Sequence, residues 1–343
     1  MTLLGSLGGC RTVYFCGLAK NAGKTVALRQ ACAEARAGGL RLAVTSVGRD
    51  GEAFDAVYDN FPKPRLPFGP GDVVLTSEGL LPEGAARVLR RFAMASPLGP
   101  IVAARVERPC EIEVAGPSTV AQLREARDFA YGLGVDLFLV DGALDRKAAT
   151  VPDVCDGVVL STGAALSPSV PDVAELTASA VDMLRLDGPG AAGAAALRFS
   201  PIFGEVERLA RAIRERGGPV VVDVEGAVTE SFLDHLLHAG LLGRCHLVAD
   251  SSAKIVVGRR RWAEYRRVGL DLRLRRAVKL LAVTVNPVSP THDGFDPDAL
   301  LEAVRGAVAG VPVFDVQSAA YARGPAPAVA RPAGAGLPAP GAP

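Results

Sequence analysis

Aromatic residues are scarce, 5% of 343 with a single tryptophan, which excludes a stacking platform for single-stranded nucleic acid. Neither sign of charge is in excess: 38 Lys+Arg against 37 Asp+Glu leave a net charge of +1, so a globally basic nucleic-acid binder is excluded as well. Histidine occurs four times, and none stands in a nucleophile–base arrangement. The cysteines (Cys10, Cys16, Cys32, Cys110, Cys155 and Cys245) contain no Cys-x-x-Cys pair and suggest no disulfide framework; they read as reduced thiols filling a core. No apolar run reaches the roughly 18–20 residues of a membrane span. The opening segment, residues 1–10, lacks the basic region and apolar stretch of an export signal. The expected compartment is the cytoplasm, with neither a membrane nor nucleic acid as partner.

Apolar residues, at 49%, are abundant and charged ones reach 22%, enough to bury a sizeable core. Short β-prone apolar runs at 12–16, 41–46, 72–76, 101–106, 111–114, 137–140 and 157–160 alternate with helical stretches at 24–37, 118–133 and 171–186. That alternation predicts an α/β fold, a P-loop NTPase-like parallel sheet flanked by helices over residues 1–186. Small residues over 187–200 predict a flexible linker. A second α/β region is expected over 201–321, with strands at 219–224, 246–249, 279–285 and 311–316 and helices at 202–216, 230–239 and 297–308. The Ala/Pro/Gly-rich residues 322–343 predict a disordered tail. No internal repeat occurs.

The segment Gly17-Leu18-Ala19-Lys20-Asn21-Ala22-Gly23-Lys24-Thr25 follows the first strand and opens the first long helix. A glycine-rich turn between a buried strand and a helix ending in Gly-Lys-Thr is the context of a phosphate-binding loop. Gly23 lets the backbone approach phosphate, while the loop amides and helix N-terminus supply positive potential. Lys24 would reach the terminal phosphates and the Thr25 hydroxyl would hold Mg²⁺. Five residues rather than four separate Gly17 from Gly23, so the loop is a variant. A phosphate loop also needs an acidic residue at the end of another strand, and Leu137-Phe138-Leu139-Val140-Asp141 supplies it, making Asp141 the second Mg²⁺ candidate. Asp50 and Glu52, after the second strand, face the same sheet edge and are candidates for metal binding or orienting water; an Asp-Gly turn is the plainer reading.

Weaker signals remain. Asn286 ends a strand before Pro287 and reads either as a base-contacting amide or as a turn residue. No Asn-Lys-x-Asp guanine motif accompanies it, which favours ATP over GTP. His235, His238, Cys245 and His246 fall near one another without a convincing metal pattern. Residues 254–279 carry ten Lys or Arg against Glu264 and Asp271, a local net of +8. That density reads as a solvated Arg-rich helical face or as a dock for an acidic partner.

The phosphate loop, together with Thr45-Ser46-Val47-Gly48-Arg49-Asp50-Gly51-Glu52, Phe61-Pro62-Lys63-Pro64-Arg65 and Asp141-Gly142-Ala143-Leu144-Asp145-Arg146, resembles the KamB subunits of lysine 5,6-aminomutase reactivases. The likeness covers most of 12–165. It implies a Mg-ATP-binding or hydrolysing accessory subunit that helps restore an adenosylcobalamin-dependent aminomutase, with the aminomutase subunits and a second reactivase ATPase subunit as partners. ATPase activity is thus an expectation of the resemblance, not of composition or spacing. The loop spacing and the Lys20-Asn21 pair are also similar to dethiobiotin synthetases and molybdopterin-guanine dinucleotide adaptors. This broader likeness implies a small-molecule ligase or kinase, or a non-catalytic nucleotide-binding adaptor. In that class an extra loop lysine acts across a homodimer, and Lys20 lies one residue closer to Lys24 than the usual offset. The candidate site is therefore Gly17, Lys20, Asn21, Ala22, Gly23, Lys24, Thr25 and Asn286 for nucleotide, Thr25, Asp141 and Glu52 for metal, and Lys24, Asp141 and Asp50 for catalysis.

Overall fold

A computed structural model of the chain describes residues 1–47, 65–142, 154–188, 196–200, 205–216, 219–318 and 321. The chain opens with a short helix α1 (Leu3–Ser6), then β1 (Thr12–Gly17), α2 (Lys24–Ala37) and β2 (Leu42–Ser46). A strand-rich stretch follows: β3 (Leu66–Phe68), β4 (Val73–Ser77), β5 (Ala86–Arg91), β6 (Ile101–Val106) and β7 (Cys110–Ile112). Next come α3 (Val120–Gly132), β8 (Leu137–Asp141), β9 (Gly157–Gly163) and α4 (Val170–Leu184). Helix α3 starts at a capping box in which Thr119 and Gln122 satisfy each other's backbone N–H groups.

One nine-stranded sheet carries the site, in the order β17-β16-β9-β1-β8-β2-β4-β6-β5, where β16 is Lys279–Asn286 and β17 Val313–Phe314. The pairings from β17 to β4 are parallel, and β6 and β5 close the far edge antiparallel. The parallel strands are buried on both faces, which is why they read as continuous apolar runs. Period-two alternation sorts them into two cores. Tyr14, Cys16, Phe138, Val140, Val158 and Leu160 face α3, α4 and α8 (Pro297–Ala307). Val13, Phe15, Leu137, Leu139 and Val159 face α1 and α2. The result is a three-layer α/β architecture with helices on both faces.

Between α4 and β16 sits a second α/β unit with its own core. It contains β10 (Leu197–Phe199), α5 (Glu205–Glu215), β11 (Val220–Val224), β12 (Val228–Thr229), α6 (Glu230–His238), β13 (Cys245–Ala249), β14 (Ile255–Val256), α7 (Arg259–Arg267) and β15 (Asp271–Leu274). Its four-stranded sheet is parallel, in the order β10-β11-β13-β15. The predicted division at 201–321 needs correction here. β16 and β17 return to the large sheet, and Ala282 to Asn286 pair in register with Val159 to Gly163 of β9. The second unit is thus an insertion, and the stretch expected as a linker holds the edge strand β10. The predicted disordered tail lies outside the described residues. Among the described residues, no helix is long and apolar enough to cross a membrane.

Candidate functional site

Parallel strands bring their C-terminal ends to one edge, and the predicted phosphate loop lies there, at the end of the central strand. The loop leaves β1 at Gly17, and Leu18 N–H immediately donates to Ser161 O of the neighbouring β9 at 2.9 Å. A turn follows, closed by Ala22 N–H to Ala19 O at 3.3 Å. Asn21 has φ 64°, the one positive φ of a non-glycine residue among the described residues. Gly23 caps α2 with φ 89° and ψ 8°, left-handed backbone that glycine adopts without strain. No side chain caps this helix end, so its first-turn N–H groups, at the positive end of the helix dipole, carry no capping side chain.

Lys24 and Asp141 meet at this edge. Because β8 pairs directly with β1, Asp141 stands beside Phe15 on one side and Ser46 on the other. Lys24 Nζ lies 2.5 Å from Asp141 Oδ1, with 28% and 20% of the two side chains exposed. Oδ1 is buried, and no further hydrogen bond from a described group meets it. Gly142 turns the chain back onto β1, its N–H donating to Phe15 O at 3.0 Å. A Cβ there would overlap the Tyr14 hydroxyl at 1.7 Å, so only glycine lets Asp141 end its strand this close to β1. Thr25 is the second residue of α2, next to Lys24, and is half-buried. Lys20 lies exposed in the loop. Asp50 and Glu52, and residues 143–146 of the motif after Asp141, lie outside the described residues.

Two side chains from distant parts of the sequence grip the loop from behind. Asn286, at the end of β16, donates from Nδ2 to Asn21 O at 3.0 Å, and its Oδ1 accepts from Val288 N–H at 3.3 Å. Both ends of the amide expected to read a base are thus engaged within the chain. Asn286 Cβ also sits where a side chain on Gly23 would go, 2.7 Å from the ideal Cβ. Arg259, which opens α7 in the second unit, donates from Nη2 to Leu18 O at 3.1 Å. Burial pushes its guanidinium pKa below the ordinary value. Sequence reasoning missed Arg259 because 241 residues separate it from Leu18 and it stands in a run of three arginines. Beneath the loop, burial pushes the Cys16 thiol up to about 12, so it is a neutral core group at physiological pH.

The other candidates resolve differently. The arginines of the basic stretch find carboxylates within the chain. Arg260, Arg266 and Arg267 pair with Asp172, Asp182 and Glu175 of α4 at 3.4, 3.0 and 3.6 Å. Arg275 pairs with Asp223, and Arg276 with Asp250 at 2.5 Å. Five of the arginines behind the local net of +8 are thus paired with acids brought in from elsewhere in the fold. The histidines do not converge. His235 bonds Ser231 O at 2.7 Å, and His246 bonds Asp271 at 2.5 Å. Among the described residues, no group of three His, Cys, Asp or Glu side chains is arranged to hold a metal ion.

No protein-family model, curated protein or solved structure matches this chain.

Proposed function

We propose that this chain binds a nucleoside triphosphate with Mg²⁺ at the loop spanning residues 17–25, and acts as an ATP-binding or hydrolysing accessory subunit that helps reactivate an adenosylcobalamin-dependent aminomutase. The observation that carries the nucleotide reading is the meeting of Lys24 with Asp141 beside the uncapped, glycine-started helix α2. A phosphate loop needs a cation on the loop, an acid on the adjacent strand and free helix-end donors. The residues present also fit a divalent cation. Asp141 Oδ1 is a buried oxygen that meets no described donor besides Lys24, and Thr25 follows Lys24 at the helix start, as the arrangement requires. Thr25 and Asp141 would hold the Mg²⁺, with Asp50 or Glu52 assisting. Bound there, the ion would neutralise charge on the phosphate oxygens. Without nucleotide, Lys24 and Asp141 neutralise each other. A triphosphate gives Lys24 a better anion and frees the carboxylate.

The aminomutase role rests on the resemblance of the loop and its flanking motifs to reactivase subunits. Releasing a tightly held damaged cofactor requires a conformational change, which nucleotide binding can bias. A ligase or kinase of the dethiobiotin synthetase kind, or a nucleotide-binding adaptor, shares the same loop chemistry. The test is titration of the full chain with ATP and GTP, with and without Mg²⁺, alongside Lys24→Ala. A second arm measures recovery of cobalamin-inactivated aminomutase. Mg-dependent ATP binding and ATP-dependent recovery, both lost in Lys24→Ala, are expected. Binding and turnover without recovery would redirect the search to small-molecule acceptors. An absence of binding by either nucleotide would overturn the site itself.

A further inference from the structure

A phosphate-binding turn works only if its N–H groups point inward and its carbonyls point away, because a carbonyl oxygen aimed at an anion repels it. In this loop two carbonyls are drawn outward by named donors. Asn286 Nδ2 takes Asn21 O and Arg259 Nη2 takes Leu18 O. Both donors belong to the distal part of the chain, Arg259 to the inserted unit and Asn286 to the strand by which the chain leaves it. Leu18 is consequently held on both sides, its N–H by Ser161 of β9 and its carbonyl by Arg259 of α7.

Helix α7 is in turn fixed to α4, the helix that follows β9. Trp262, 1% exposed, donates from Nε1 to Asp182 of α4 at 2.8 Å, and Arg266 pairs with the same carboxylate. The position of the Arg259 backbone therefore depends on how the second unit docks against α4. An open cavity of about 420 Å³, lined by Leu176 of α4 and residues 257–261, lies beside the start of α7. From the start of α7 the half-buried Arg259 side chain reaches across to the Leu18 carbonyl.

We propose that Arg259 is a positioning residue for the phosphate loop, through which the docking of the second α/β unit sets the affinity of the loop for nucleotide phosphates. This rests on the nucleotide reading above. The coupling is reciprocal: phosphate bound in the loop tightens the α4–α7 contact by the factor that the contact tightens phosphate binding.

The experiment uses the full chain and three variants, Arg259→Gln, Arg259→Lys and, as a control removing an exposed arginine of the second unit away from α4, Arg244→Gln. Hydrogen exchange of the segment 18–23 is followed without nucleotide, and Mg-ATP affinity is measured by titration. A hydrogen bond from a charged donor is worth enough to shift an equilibrium by about tenfold. Arg259→Gln is expected to speed loop exchange about tenfold and weaken Mg-ATP by about the same factor. Arg259→Lys, which keeps a cationic donor, restores most of both, while Arg244→Gln leaves both within about twofold. Added Mg-ATP slows exchange in α4 and α7 of the unaltered chain but not of Arg259→Gln. Unchanged loop exchange in Arg259→Gln, equal loosening in Arg244→Gln, or no recovery in Arg259→Lys overturns the proposal. If the unaltered chain binds no nucleotide, the nucleotide reading falls and this proposal with it. If it binds and Arg259→Gln binds equally well, this proposal alone falls.

Discussion

Replacing Gly23 by alanine tests the loop geometry at its tightest point. Gly23 has φ 89°, and left-handed backbone costs an L-residue about 1–2 kcal/mol. A Cβ there would also come within 2.7 Å of Asn286 Cβ and 3.3 Å of Asn286 Cγ. The nearer atom is attached directly to the backbone of β16 and cannot rotate away. Nor can the strand end retreat toward β9, where Asn286 O already lies so close that a Cβ on Gly163 would sit 2.1 Å from it. Overpacking of this kind costs about 1–3 kcal/mol, so Gly23→Ala should destabilise the chain by about 2–5 kcal/mol in total. The two contributions separate in a double-mutant cycle. Asn286→Gly removes the overlap and leaves the backbone strain. In its background, Gly23→Ala should cost only the left-handed penalty, giving a coupling of about 1–3 kcal/mol. Urea unfolding of the four proteins, followed by circular dichroism, measures all the terms. A Gly23→Ala penalty below about 0.5 kcal/mol, the ordinary surface-substitution range, or a coupling indistinguishable from zero would refute this account of the loop.

Two further outcomes follow from burial. The thiol of Cys32, on the buried face of α2, is pushed up to about 12 by burial, whereas the unfolded thiol ionises near 9.0. Between these values the unfolded chain has released a proton that the folded chain retains, so the contribution is full below about 9 and is lost as pH rises toward 12. Cys32→Ala should therefore lose about 1.4 kcal/mol less stability between pH 8 and pH 10 than the unaltered chain; equal losses in urea unfolding at the two pH values would contradict it. The single tryptophan, Trp262, is buried between α7 and Asp182 of α4. Its emission should be blue-shifted and resist iodide quenching until the second unit undocks, and ready quenching in the folded chain would count against that packing.

The stretch from β1 through the loop to α2 was legible because each signal is local. An apolar run marks a doubly buried strand, Gly-Lys-Thr marks the turn, and Gly38 stops the helix, whose observed span Lys24–Ala37 equals the predicted one. Asp141 was legible for the same reason, as an acid directly after four apolar residues. What escaped was relational. An apolar run such as β16 looks the same whichever sheet it joins, so its return across the inserted unit left no trace in the sequence. The edge strand β5 is half-exposed and charged, with Arg87, Arg90 and Arg91 along it, and lacks the buried run that identified the others. A count of charges over 254–279 gave +8 but could not reveal that Asp172, Glu175 and Asp182 would come to meet it. The amide of Asn286 was recognised as significant while its partner, a loop carbonyl 265 residues away, was not.

The central position of β1 has a consequence for how the chain comes into being. This strand is synthesised well over a hundred residues before its neighbours β8 and β9, whose paired residues include Phe138 and Gly157. At a ribosomal rate of about 5–20 residues per second, the apolar segment Val13–Cys16 waits roughly 7–29 seconds before both neighbours can sandwich it. Its flank on β9 is completed only when Ser161 arrives to take Leu18, and the loop behind it only when Asn286 does. The turn after β1 is thus synthesised long before the residues that give it its shape. In the nascent chain this apolar strand precedes every partner of its loop, so assembly of the sheet is what organises residues 12–25.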